Sequence, residues 1–239
     1  MKTPHLRFLI PSLLSLVAIL GQSCSLLDAV NSAPSAPLPT ANPTEVTCLP
    51  ATTSAQVGEI LFNAQVSEHQ QPAIRITMAL QNSMQWIDFI RPDRFHWKNQ
   101  AGEIWEEVIS VGGSSYARSS TQGWQPTPLL DPAAALLMQA FTNPPKRLSE
   151  ATIAAQLTAA GVKDVKFEGR SAGLSQDFSG SCIYELFVKS GDRILNTEKT
   201  WIGANDGLRY KVEIMDETNT VTEVRLFTYD PFSIDTPSP

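Results

Sequence analysis

Three cysteines and three histidines in 239 residues leave little from which to build a metal centre or a redox site. Positive charge is also scarce: 18 lysines and arginines stand against 24 aspartates and glutamates, a net charge of −6. Removal of Lys2 and Arg7 with the leader described below takes it to about −8. A surface of that sign repels phosphate backbones, so nucleic acid is not expected as a partner. Beyond the N-terminus no apolar run reaches the ~18 residues of a membrane span, and mean hydropathy is −0.10. Hydrophobic residues, by contrast, make up 42% of the chain. Roughly 190 residues remain after leader and tether, enough for one domain with a sizeable core. The balance points to an exported binding domain rather than an enzyme, with no metal and no cofactor.

Residues 1–23 have the anatomy of an export signal: Lys2 and Arg7 first, then an apolar stretch from Phe8 to Leu20, then Gly21-Gln22-Ser23-Cys24. Thirteen residues of helix span about 20 Å, too short for a bilayer core of about 30 Å. Cys24 stands where bacterial lipoproteins carry their lipidated cysteine, although Gly21 occupies the position that usually holds leucine. Two outcomes follow. Either Cys24 is lipidated and anchors the protein on the periplasmic side of an envelope membrane, or ordinary cleavage after Ser23 releases a secreted or periplasmic protein. Residues 24–50 read as a tether, with Pro34, Pro37, Pro39, Pro43 and Pro50 among small polar residues. Such a segment favours extended conformations and holds a domain tens of Å from its anchor, at about 3 Å per residue. Cys48 and Cys182 form an even pair in an oxidising compartment. They are either two thiols or one disulfide closing a loop of roughly 130 residues, for roughly 4–5 kcal/mol in the chain-entropy model.

Thr53-Ser-Ala-Gln56 has capping-box spacing, and Val57, Ile60, Leu61 and Ala64 follow at helical intervals, predicting a helix of about four turns. The period then becomes two. Ile74, Ile76, Met78 and Leu80 alternate with polar residues, and short strands follow near 85–90, 94–98, 104–111 and 115–118. Asp131-Pro132 starts a helix over 133–141, which Asn143-Pro144-Pro145 stops; a second helix runs over 149–160 to Gly161. Strands return at 162–168, 182–189, 194–202, 208–215 and 221–229. This predicts one α+β domain over residues 51–230, a strongly curved antiparallel sheet with helices on one face, and a tail at 231–239. Phe95 and Trp97 share a strand face, as do Trp105, Ile109 and Val111, while Leu208, Tyr210, Val212 and Ile214 line another strand. These side chains are either ordinary core or the wall of an apolar cavity.

The segment Trp86-Ile-Asp-Phe-Ile-Arg91-Pro92-Asp93-Arg94-Phe95-His96-Trp97 resembles the periplasmic lipoprotein carrier family with the LolA-like fold, which carries an R-P-x-x-F-x-W pattern at this point. Gly112-Gly113 before Tyr116, Gly123-Trp124, Lys199-Thr-Trp201-Ile-Gly and Asp206-Gly207-Leu208 follow in the same order. The resemblance covers about residues 53–230. It implies an incomplete, half-open β-barrel covered by helices, holding acyl chains or the acyl groups of lipoproteins in an apolar cavity. Arg91 matches the arginine that latches a helical lid, Phe95 a phenylalanine that holds acyl chains, and Trp97 the aromatic beside it. Trp105 and Tyr210 join them as expected cavity residues, and the linker 142–148 as a hinge. The soluble carriers of the family lack an anchor, so this chain resembles its anchored relatives, which accept lipoproteins or bind lipid. A monomer is expected. The alternative is a structural or protein-interaction lipoprotein with a filled core and no ligand.

Other motifs carry less. Gly169-Arg-Ser171-Ala-Gly173 matches the nucleophile-elbow pattern, but no helix follows the serine and both His69 and His96 precede it, so a loop is expected there. His96 alternates away from Phe95 and Trp97 and is expected in solvent, as are Glu103, Glu106, Glu107 and Asp88 on strand surfaces. His69 falls in a polar turn.

Overall fold

A computed structural model describes residues 47–127, 132–178 and 180–237. The leader, Cys24 and most of the tether lie outside them, as does Asp131, the expected cap of the second helix.

Helix α1 (Ser54–His69) is capped as its sequence predicts: Thr53 accepts from the Gln56 amide, and the Gln56 side chain reaches back to the Thr52 amide at 2.9 Å. Six strands follow as a meander: β1 (Ala73–Leu80), β2 (Ser83–Ile90), β3 (Arg94–Ala101), β4 (Ile104–Val111), β5 (Ser114–Ser119) and β6 (Gln122–Pro126). Helices α2 (Pro132–Thr142) and α3 (Glu150–Ala159) come next, the latter with Ser149 accepting from the Thr152 amide at 3.1 Å. A second meander completes the chain: β7 (Val165–Leu174), β8 (Ser181–Ser190), β9 (Arg193–Gly203), β10 (Arg209–Asp216) and β11 (Val221–Thr228). Between β4 and β5 the turn is only two residues, Gly112 and Gly113, with φ of +57° and +81°. Both angles suit the mirror-image turn that matches strand twist and that side chains with a Cβ resist.

β1 and β11 zip the two meanders into one antiparallel sheet of order β6-β5-β4-β3-β2-β1-β11-β10-β9-β8-β7. Its ends, β6 and β7, do not pair, so the barrel stays open. This is the curved, half-open antiparallel sheet under helices that the sequence leads one to expect.

All three helices pack on the same face of the sheet, the inner face. Ala134 and Leu137 of α2 lie on Ile74, Ile76, Phe89, Phe95 and Trp97. Val57 and Ala64 of α1 cover Cys182, Tyr184 and Ile202, and Leu157 of α3 covers Val188 and Leu195. None of these helices is long and apolar enough to cross a membrane.

Cys48 and Cys182 are joined by a disulfide, with Cα atoms 5.5 Å apart. Beside it the Tyr184 hydroxyl donates to the Leu49 carbonyl at 3.2 Å, and Ala51 is buried. The end of the tether is therefore docked on β8. At the other terminus Phe232 lies under the Arg75 guanidinium and Arg94 donates to the Ile234 carbonyl, so the segment after β11 straps the outer face.

The nucleophile-like motif is not the expected loop. Strand β7 runs through it to Leu174, and the Ser171 amide donates to the Ala51 carbonyl at 2.7 Å. Gly169 sits where α1 crosses the strand, and a Cβ there would stand 2.8 Å from Ser54 Cα. The glycine serves helix packing.

Candidate functional site

The inner face of β1–β3 is apolar for steric and solvation reasons that follow from alternation. Ile74, Phe89 and Phe95 meet in register, as do Ile76, Ile87 and Trp97, and these six with Met78 are each at most 6% exposed. Phe95 is wholly buried. Helix α2 roofs this patch, and its Phe141 ring stacks on Phe89 with centroids 5.6 Å apart.

Arg91, just past β2, holds the end of that roof. Its Nη1 donates to the Phe141 carbonyl at 2.6 Å and its Nε to the Gln71 carbonyl at 2.9 Å, with the guanidinium 5.2 Å from the Phe89 ring centroid. The last carbonyls of a helix have no partner within the helix and carry partial negative charge, so a cation is well placed there. One side chain thereby joins the α1–β1 connection, the β2–β3 turn and the C-terminal turn of α2. His69 ends α1 nearby rather than lying in a turn, and burial, followed by the charge of Arg91, lowers its pKa.

Phe95, Trp97 and Arg91 thus come together. Trp105 does not. It lies on the opposite, outer face, because Val108 carries the inward phase of β4; its ring sits 5.6 Å from Lys98 Nζ and 5.4 Å from the Arg118 guanidinium. Tyr210 also departs from its expected row. A bulge between Arg209 and Lys211 takes it out of alternation with Val212 and Ile214. Its hydroxyl donates to Asp206, and its pKa is pushed up to about 12 by burial and by that carboxylate.

The outer face corrects a second expectation. His96 is not in open solvent: its Nδ1 lies 3.1 Å from Asp88 and its Nε2 2.8 Å from Glu107. Arg75 and Arg118 close the row, at 2.7 Å from Asp88 and 2.6 Å from Glu107. Asp88 and Glu107 are 8% and 6% exposed, so these carboxylates are not solvated strand-surface groups. Burial opposes their ionisation, but hydrogen bonds from His96 and the arginines win and lower both pKa values.

Several site groups escaped sequence reasoning. Glu68 and Arg209 form a bidentate pair at 2.5 and 2.6 Å that fixes the last turn of α1 to β10. Glu223 and Arg225 are buried charges on the inner face, legible only as a phase conflict: β11 reads Val-Thr-Glu-Val-Arg-Leu-Phe, so both share the side of Phe227.

No family model and no curated protein matches the chain. Among solved structures it is similar to LprF from Mycobacterium bovis, at 11% identity over 79% of this chain and 100% of that chain, with a TM-score of 0.47. It is also similar to a chain of the Pseudomonas aeruginosa MucA/MucB complex, at 12% identity over 72% of this chain and 55% of that chain, with a TM-score of 0.33. A third is the LolA superfamily protein NE2245 from Nitrosomonas europaea, at 12% identity over 78% of this chain and 96% of that chain, with a TM-score of 0.26.

Proposed function

We propose that this is an exported envelope protein, lipid-anchored at Cys24, that holds acyl chains or the acyl groups of lipoproteins between its inner sheet face and helix α2, for carriage or acceptance. The observation that carries this reading is the Arg91–Phe141 bond at the edge of a continuous apolar face. The end of the roof is fastened by one arginine, so it has a defined point of release. Water on Phe89, Phe95 and Trp97 is unfavourable, whereas an acyl chain there gains about 0.8 kcal/mol per buried methylene. The role requires no reaction and no cofactor, and a monomer suffices. Anchor and envelope location rest on the leader and the proline-rich tether.

The test is extraction of protein purified from its native envelope, followed by mass spectrometry of the extract and titration of the stripped protein with a fluorescent acyl probe. Bound lipid and saturable uptake are expected, both lost in Phe95→Glu, which places a charge at the centre of the patch. A folded wild-type protein that carries no lipid and takes up no probe would be the structural alternative with a filled core.

A further inference from the structure

Three of the five tryptophans stand on the outer face of the first meander. Trp86 of β2 shares the phase of Asp88, Trp105 of β4 that of Glu107, and Trp124 of β6 lies against Arg118; each is half-buried. They recur on every second strand, about 10 Å apart by strand spacing. A cation fills each gap. Lys98 Nζ of β3 lies 5.3 Å from the Trp86 ring centroid and 5.6 Å from that of Trp105. The Arg118 guanidinium of β5 lies 5.4 Å from the Trp105 ring and 4.5 Å from that of Trp124. Indoles and cations therefore alternate from β2 to β6.

The row keeps a positive charge that the fold does not neutralise. Two carboxylates face outward beside it, and both are taken: Asp88 holds Arg75 and His96, and Glu107 holds His96 and Arg118. Lys98 stands opposite Glu107 in register, yet has no carboxylate and no hydrogen-bond acceptor among the described residues. Arg94, further along β3, donates to the Ile234 carbonyl. The remaining acids of these strands lie to the side. Asp93 is in the β2–β3 turn, Glu103 flanks Trp105 from the β3–β4 turn, and Glu106 accepts from Asn99 on the opposite face. In a chain of net charge −6, half-exposed indoles around an unpaired cation suit an anionic, amphipathic partner.

The rings narrow the choice. A cation over an indole takes up the face on which a sugar would stack, so the row is poorly made for a glycan. Indole rims and cationic heads side by side match the headgroup layer of a membrane, where tryptophan settles and where lysine and arginine meet phosphates. We propose that the outer face of β2–β6 docks on an anionic phospholipid surface, with Trp86, Trp105 and Trp124 at headgroup level and Lys98 and Arg118 on lipid phosphates. Docking needs the envelope location of the proposed function, but neither the acyl-chain site nor a lipid at Cys24. It leaves the inner face and its helices turned away from the bilayer.

The mature chain with Cys24→Ser, which carries no anchor, is floated with vesicles of phosphatidylcholine and with vesicles of phosphatidylcholine and phosphatidylglycerol in equal parts. Binding to the anionic vesicles is expected to be about tenfold or more tighter, and to weaken with added salt. Lys98→Glu reverses the unpaired charge and weakens binding about tenfold. Lys166→Glu, the same change at an exposed position of β7 at the other end of the sheet, alters it by about twofold at most. Trp105→Gln and Trp124→Gln each weaken binding several-fold and keep the result readable if Lys98→Glu disturbs folding. Cosedimentation with insoluble cell-wall glycan runs in parallel. Absence of binding to anionic vesicles, equal binding to both kinds, equal losses in Lys98→Glu and Lys166→Glu, or retention on glycan alone overturns the docking face. None of these results touches the acyl-chain reading, which stands or falls on uptake of the fluorescent probe.

Discussion

Protonation of His96 is open to a direct test. Both ring nitrogens face carboxylate oxygens, Asp88 at 3.1 Å and Glu107 at 2.8 Å. Ionised carboxylates only accept, so both nitrogens must carry hydrogen and the ring is an imidazolium. Burial alone lowers the pKa of His96, but the bonds to Asp88 and Glu107 outweigh it and raise the value from 6.5 to about 9. A group with a raised folded-state pKa contributes stability that is complete below its unfolded value and is lost as pH climbs through the folded one. The window here is therefore pH 6.5 to about 9. That displacement corresponds to about 3 kcal/mol. The side chain is 21% exposed, and its binding energy is shared with Arg75 and Arg118, so about 2 kcal/mol is the expected effect. Urea unfolding of wild type and His96→Gln at pH 6 and pH 9.5 isolates it, since other titrating groups cancel in the comparison. The advantage of wild type over the variant should shrink by about 2 kcal/mol at the higher pH. An advantage that does not change with pH, or an NMR titration placing His96 near 6.5, would refute the imidazolium assignment.

Arg91→Leu removes a charged donor from the end of α2, a loss of about 1.5–3 kcal/mol in local stability; amide exchange in residues 132–142 should quicken at least tenfold while β2 and β3 keep their protection. Gly169→Ala pushes a methyl into Ser54 Cα at 2.8 Å, where the obstacle is backbone, so a destabilisation of about 1–3 kcal/mol is expected in thermal melts; an unchanged Tm would mean that α1 does not approach β7 so closely. Replacing Cys48 and Cys182 together by serine opens the 134-residue loop and should lower stability by about 4–5 kcal/mol, less any strain relieved in the native state, with reducing agent producing the same loss in wild type and none in the variant.

The sequence patterns that proved reliable were those imposed by the backbone. Thr53 and Ser149 cap helices because their hydroxyls satisfy free amides, and that requirement is local. Ile74, Ile76, Phe95 and Trp97 reveal their face through period two, and the motif singled out Arg91 beside Pro92, whose guanidinium donates to the Phe141 carbonyl. What was hidden depends on partners distant in sequence. Trp105 and Phe95 both read as inward aromatics, but the phase of a strand is fixed only by its neighbour, and the register of β3 with β4 turns Trp105 outward. His96 and Glu107 are eleven residues apart, yet a diagonal across two strands makes them a pair. Tyr210 lost its row to a bulge that alternation cannot anticipate. Strand β7 continues through Gly169 because a helix from the other end of the domain lies on it.

The two faces of β1–β5 differ in a way that bears on the proposed acyl-chain site. On the outer face Arg75, Asp88, His96, Glu107 and Arg118 form a row of alternating charge, one residue from each strand. Each link pairs neighbouring strands, so the row resists a change in their spacing and twist without help from the inner side. A sheet held only by its inner core would lose its curvature when α2 lifted and water reached Phe89 and Phe95. Here the wall is braced from behind, so the proposed exchange of α2 contacts for a ligand would leave the strands in register. On the proposed function, release of α2 would cost the Arg91 bond and the apolar area under one short helix, and an incoming acyl chain would restore most of that area.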